Sequence, residues 1–267
     1  MCLILFAFEQ SEGYPLIVIS NRDEFYARPT RAAHWWDDSP NTFGGRDLEA
    51  QGTWMGVNKQ GRFAAVTNVR EPGRKQISKR SRGDLTREFL TGSESVRQFL
   101  ARIAAQQDDY AGFNLVIGEA LTGGNHELWS YSNRQPGMRK LKPGFYGVSN
   151  GYFDEAWPKL ALGKIELEQA LSTDAEDDTF LDIMSSEQIA PDEQLPTTGV
   201  PLEKERRLSS RFIKLPDYGT RATSLVRFSN QGTISFTEQS FLPRYDPHFD
   251  SGSVQKSRVD ETFVIEP

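Results

Sequence analysis

The sequence predicts an α+β protein built from layers of largely antiparallel sheet. Three observations carry that expectation. Strand-like apolar runs cluster in the first quarter, helical periodicity takes over mid-chain, and strands return before the end. Neighbouring strand-like runs are joined by short, turn-rich segments of the kind that close hairpins. The regular strand–helix–strand alternation of a doubly wound parallel sheet is missing. At 267 residues the chain is near the upper size for one hydrophobic core. Residues 1–243 therefore read as one domain, and 244–267 as a polar, turn-rich tail with the mobility of a terminus.

Leu3–Phe8 and Leu16–Ser20 are apolar runs on either side of EQSEGYP, a hairpin signal. A second hairpin is spelled by TWMGVN, KQG and RFAAVTN, with glycine where a turn needs positive φ. Residues 82–105 carry apolar side chains three and four apart and read as helical. Strands return in FNLVIG, HELWSYS and FYGVS. A helical region spans about 154–188, interrupted near Pro158 and at the acidic DAEDD, and a short helix follows near 203–212. A last hairpin, ATSLVRFSNQGTISFTEQSF, pivots on Asn230–Gly232.

Composition excludes several function classes. A net charge of −6 and a pI of about 5.3 offer no basic field to nucleic acid. Leu3–Phe8 is too short to span a bilayer and lacks the basic start of a signal peptide. One cysteine cannot form an intramolecular disulfide or a thiolate cluster, which fits a reducing, cytoplasmic compartment. His34, His126 and His248 are too scattered to suggest a metal site, so no metal or resident cofactor is expected.

That one cysteine is Cys2, which becomes the first residue once an initiator methionine is removed. Centring the first turn near residue 12 pairs positions whose numbers sum to about 24, which sets Cys2 against Arg22 within SNRDEF. An N-terminal cysteine carries a thiol and an α-amine of reference pKa about 7.7–8.0, so its own amine can serve as general base. Arg22 favours the thiolate, Asp23 can orient the ammonium, and side-chain amides can donate to a developing oxyanion. Asn68 and Asn150 end later strands and have the right chemistry for that role. Arg221 enters the final hairpin.

CLILFAF, SNRDEF, RPT, GGRD, GTWMGVNKQGRFAAVTNVREP, GVSNG, AWPKL, TGVPLEKERRLSSRFI and YGTRATSLVRF occur in one order from residue 1 to about 242. In that order they resemble the NRDE family, that of the transport and Golgi organization protein 2 homologues. The family in turn resembles the cysteine-type N-terminal-nucleophile hydrolases. The resemblance implies a four-layer αββα sandwich of two largely antiparallel sheets, and cleavage of a non-peptide C–N amide bond. It casts Cys2 as nucleophile, Arg22 and Asp23 as its partners, Asn150 as oxyanion donor, Asn68 as an earlier polar position and Arg221 as the late arginine. The spacing between arginine and aspartate is compressed here, and Asn21 and Glu24 flank them as candidate ligand contacts.

The resemblance also implies links to haem trafficking and lipid homeostasis. A non-catalytic haem carrier is thus the alternative reading, with His34 and Trp35 in HWWDD as the imidazole and indole against a flat apolar ligand. The expected partner is a small-molecule amide or a haem-like ligand. The basic stretch from Arg70 to Arg82 reads as a solvated loop or a lid over the cleft.

Overall fold

A computed structural model describes residues 2–72, 78–119, 126–173, 175–243 and 254–266. The continuous apolar run of β1 (Cys2–Phe8) is explained by burial on both faces, which removes the need for polar alternation. Cys2, Ile4, Phe6 and Phe8 face a second sheet, whereas Leu3, Leu5 and Ala7 face helices. The adjacent strand, β2 (Leu16–Phe25), continues both patterns until its polar end.

Two antiparallel sheets result. The chain continues through β3 (Thr30–Trp36), β4 (Ser39–Asp47), β5 (Met55–Asn58) and β6 (Phe63–Asn68). Then come helices α1 (Arg82–Thr91) and α2 (Val96–Ala105), and strands β7 (Phe113–Glu119), β8 (Glu127–Ser132), β9 (Arg139–Lys140) and β10 (Gly144–Val148). Helices α3 (Pro158–Ser172), α4 (Asp177–Ile183) and α5 (Leu202–Leu208) precede β11 (Tyr218–Phe228), β12 (Thr233–Pro243) and β13 (Val254–Val264). One sheet runs β10-β1-β2-β11-β12-β13 and the other β3-β4-β5-β6-β7-β8-β9.

Helices α1 and α2 cover the seven-stranded sheet and α3 and α4 the six-stranded one, giving the four layers the resemblance implied. The α+β expectation is met. Between the sheets lies an aromatic core in which Phe43 meets Phe236 edge-on at 5.2 Å and Phe6 stacks on Tyr146 at 5.2 Å.

Two differences from the sequence reading have physical causes. The β3–β4 hairpin went unread because its strands are irregular: register shifts between Arg31 and His34 and between Trp35 and Trp36 spoil the alternation. The second concerns the expected tail, of which residues 244–253 lie outside the described residues. Val254–Val264 pairs with β12 along its whole length and closes the sheet, and Phe263 packs on Trp35 at 4.8 Å. Lys256, Arg258, Asp260 and Thr262 are exposed on this edge strand, and such polarity makes the segment resemble a tail.

The packing yields a stability prediction. Phe236→Ala, in the core between the sheets, should cost about 3–5 kcal/mol in urea unfolding. Ile165→Ala, on the open face of α3, should stay within about 0.5 kcal/mol of wild type.

Candidate active site

The register of β1 on β2 begins with the pair Cys2–Arg22, as the turn arithmetic required. Arg22 is buried: its guanidinium lies 4.2 Å over the Trp54 ring, donates to Thr30 Oγ1 at 2.6 Å and reaches Asp47 Oδ2 at 3.4 Å. Stacking and ion pairing fix the planar fork beside the thiol. Trp54 reaches this position because Gly45 beneath it has no side chain; a Cβ there would lie 2.1 Å from the indole.

Asp23 follows strand alternation to the opposite face. Its Oδ1 accepts from Thr220 Oγ1 at 2.7 Å, its backbone carbonyl accepts from Tyr218 at 3.0 Å, and Lys159 of α3 lies within electrostatic range. Burial pushes its carboxyl above the usual range, against the opposing pull of Lys159 and Thr220. Burial in turn lowers the Lys159 ammonium to about 8.

A cavity of about 240 Å³ opens at Cys2, lined among others by Arg22, Asp23, Glu24, Arg28, Asn68 and Arg82. Glu24 is half-buried on its wall. The Asn68 side chain also lines it, and forms no hydrogen bond with any described residue. Asn150 is buried beside it: its Nδ2 donates to the Asn68 carbonyl at 3.0 Å, and its own carbonyl accepts from the Arg70 N–H at 2.7 Å. These bonds tie the ends of β6 and β10, one from each sheet. Asn150 therefore borders an adjoining compartment of about 660 Å³, while Asn68 borders both.

Arg221 occupies a bulge in β11, between Thr220 paired with Asp23 and Ala222 paired with Arg22. Its guanidinium donates to the carbonyls of Phe25, Tyr26 and Arg28. It holds the turn that delivers Arg28 to the cavity, and does not line the cavity itself.

The structure places three of the expected ligand contacts against other partners. Asn21 alternates toward the helices, donates to the carbonyls of Met184 and Arg211 at 2.8 Å each and accepts from Thr223, which commits its amide to the fold. Trp35 packs between Phe43 and Phe263, and His34 bonds the Ala32 carbonyl at 2.7 Å; neither lines the Cys2 cavity. Of the basic stretch, residues 73–77 lie outside the described residues, as does His248.

Sequence reasoning missed Arg28, Asp47 and Arg82. Arg28 and Asp47 belong to RPT and GGRD, motifs whose geometry is invisible until β3 and β4 fold back between them; Arg28 Nε then donates to Asp47 Oδ2 at 2.6 Å. Arg82 was absorbed into the basic run. It reaches the cavity because Gly52 and Gly83 let two backbones touch; a Cβ on Gly52 would lie 2.5 Å from the Gly83 carbonyl carbon.

The family model for transport and Golgi organisation 2 matches residues 1–243. The chain belongs to that family. It is similar to the human transport and Golgi organization protein 2 homologue, 32% identical over 94% of this chain and 97% of the relative. The Drosophila melanogaster transport and Golgi organization protein 2 is 27% identical over 98% of this chain and 99% of its own length. Among solved structures, a Caenorhabditis elegans N-acylethanolamine-hydrolyzing acid amidase orthologue matches with a TM-score of 0.48 and 12% identity, over 84% of this chain and 92% of its own. The C2A mutant of a Clostridium perfringens conjugated bile acid hydrolase matches with a TM-score of 0.46 and 10% identity, over 99% and 97%. Among the described residues of this family member, no helix is long and apolar enough to cross a membrane.

Burial pushes the Cys2 thiol above its ordinary value, with Asp23 adding to the rise and Arg22 opposing it. The thiolate fraction therefore keeps growing at pH values where an exposed thiol has levelled off. Alkylation of Cys2 by iodoacetamide, read by intact mass from pH 6 to 10, should still be rising above the midpoint of a cysteine peptide run beside it. A midpoint at or below the peptide's would contradict this burial effect.

Proposed function

We propose that the protein is an N-terminal-nucleophile amidohydrolase that cleaves an N-acyl amide with Cys2. The observation that carries the reading is the Cys2–Arg22 pair on the wall of a cavity also lined by Asn68, whose amide is uncommitted among the described residues. A buried thiol is neutral at rest, so its attack requires a base, and no described histidine lines the cavity. Once the initiator methionine is removed, the α-amine of Cys2 fills that need.

The α-amine takes the thiol proton as sulfur adds to the amide carbonyl. Asn68 donates to the resulting oxyanion. Collapse expels the amine, which takes the proton from the α-ammonium and leaves a thioester on Cys2. Water, deprotonated by the same α-amine, then cleaves the thioester and releases the carboxylic acid. Asp23 orients the ammonium between the steps, and Arg22 stabilises the sulfur anion. The haem-carrier alternative has less support, because its imidazole and indole, His34 and Trp35, lie away from this cavity.

Purified protein should lose its first methionine, turn over a member of an N-acyl amide panel and show an acyl adduct on Cys2 by intact mass. Cys2→Ala should abolish amine release with its melting curve unchanged, and Asn68→Ala should lower kcat by about 10²–10³. Turnover surviving in Cys2→Ala, or a retained methionine in an active enzyme, would overturn the mechanism.

A further inference from the structure

We propose that the ligand of this cleft carries an oxyanion, anchored by Arg82 a few atoms from the Cys2 sulfur. The inference rests on the reading of the cleft as an acyl-amide site and adds the chemical class of its ligand. Four guanidinium groups line the Cys2 cavity, those of Arg22, Arg28, Arg80 and Arg82. Three of them have acidic partners. Arg22 and Arg28 share Asp47, Arg28 also reaches Glu49 at 3.2 Å, and Arg80 pairs with Glu88.

Arg82 differs. Among the described residues no carboxylate lies within ion-pair distance of it, and its contact is a single donation to the Gly112 carbonyl at 3.1 Å. A guanidinium offers five N–H donors, so most of its bonding capacity is left for a ligand. The carboxylates on the same wall do not supply it. Asp47 is held by Arg28 and Arg22, Asp23 accepts from Thr220, and Glu24 caps the Phe25 N–H at 2.9 Å.

Position adds a second line of argument. Arg82 lines both the small cavity at Cys2 and the adjoining compartment of about 660 Å³, so it marks their junction. Burial lowers its pKa, which means that the protein holds a partly desolvated cation there. Glu24 and Glu71, the latter held by Arg134, act on it at electrostatic range only, and an incoming oxyanion offsets the remaining desolvation through charge-assisted hydrogen bonds. Beyond the junction, Phe25, Leu208, Leu215 and Tyr218 supply apolar wall for the rest of the molecule. The ligand class is an amphiphile with a carboxylate, sulfonate or phosphate close to its amide.

Binding can be read without turnover, which separates failure of this inference from failure of the hydrolase reading. Wild-type protein, Arg82→Gln and Arg82→Lys are each melted, and their Cys2 alkylation by iodoacetamide timed. Both are repeated with N-acetylglycine, its neutral counterpart N-acetylglycinamide, or inorganic phosphate, at matched ionic strength. N-acetylglycine should raise the wild-type Tm and slow alkylation, and the neutral amide should do neither. In Arg82→Gln the apparent affinity for N-acetylglycine should fall about tenfold, and Arg82→Lys should recover part of it. Phosphate acting like N-acetylglycine assigns the site to oxyanions generally, and a silent phosphate assigns it to carboxylates. Equal effects of the charged and neutral compounds, no effect of either anion, or undiminished binding in Arg82→Gln would each overturn the inference.

Discussion

The pairing of β1 with β2 is the constraint on which the site depends. Residues 2 to 8 lie against 22 to 16, so one hairpin turn decides which side chain faces Cys2. A slip of one residue would put Asn21 or Asp23 opposite the thiol and turn every apolar residue of the strand to the wrong layer. The register is over-determined. On one face Ile4, Phe6, Phe8, Leu16 and Val18 must enter the core between the sheets, and on the other Leu3, Leu5, Ile17 and Ile19 must meet the helices. Burial of the residues that follow Cys2 and precede Arg22 thus sets the two side chains against each other.

Around that pair the protein accepts a cost. Asp23, Lys159, Glu205 and the Arg70 side chain are all nearly removed from water, and together with Arg22 they concentrate charge at one end of the sandwich. Ion pairs in such places are weak sources of stability, because desolvation opposes their attraction. They do fix geometry. Arg70 bonds Glu205, Asn150 bonds Asn68 and Arg70, and Arg22 bonds Thr30 and Asp47, so strands and helices from all parts of the chain are cross-linked around the cavity.

The layered fold was legible because burial leaves a strong periodic signal: the β1 run, the helix faces of α1 and α2, and the final hairpin all announce themselves. Cys2 was legible as the one cysteine, and its pairing with Arg22, beside Asp23, through turn arithmetic. Arg28, Asp47 and Arg82 were not, since each reaches the cavity through long-range folding that no local pattern encodes. Asn21 misled because a buried amide satisfied by backbone carbonyls and a ligand-binding amide look identical in sequence. Trp35 misled for a similar reason, as its true neighbour Phe263 lies 228 positions later, in a segment whose polarity resembles a tail.

The bulge at Arg221 bears on how this family can vary. Thr220 and Ala222 have the same parity, yet one meets Asp23 toward the helices and the other meets Arg22 toward the opposing sheet. A strand of uniform pleat cannot do that; the extra residue resets its phase. Before the bulge Tyr218 and Thr220 bond Asp23, and after it Leu225, Val226 and Phe228 enter the core. Loss of a single codon here would leave the composition almost untouched and put the two halves of the strand out of step. Length, more than residue identity, is what keeps the two halves of this strand in step.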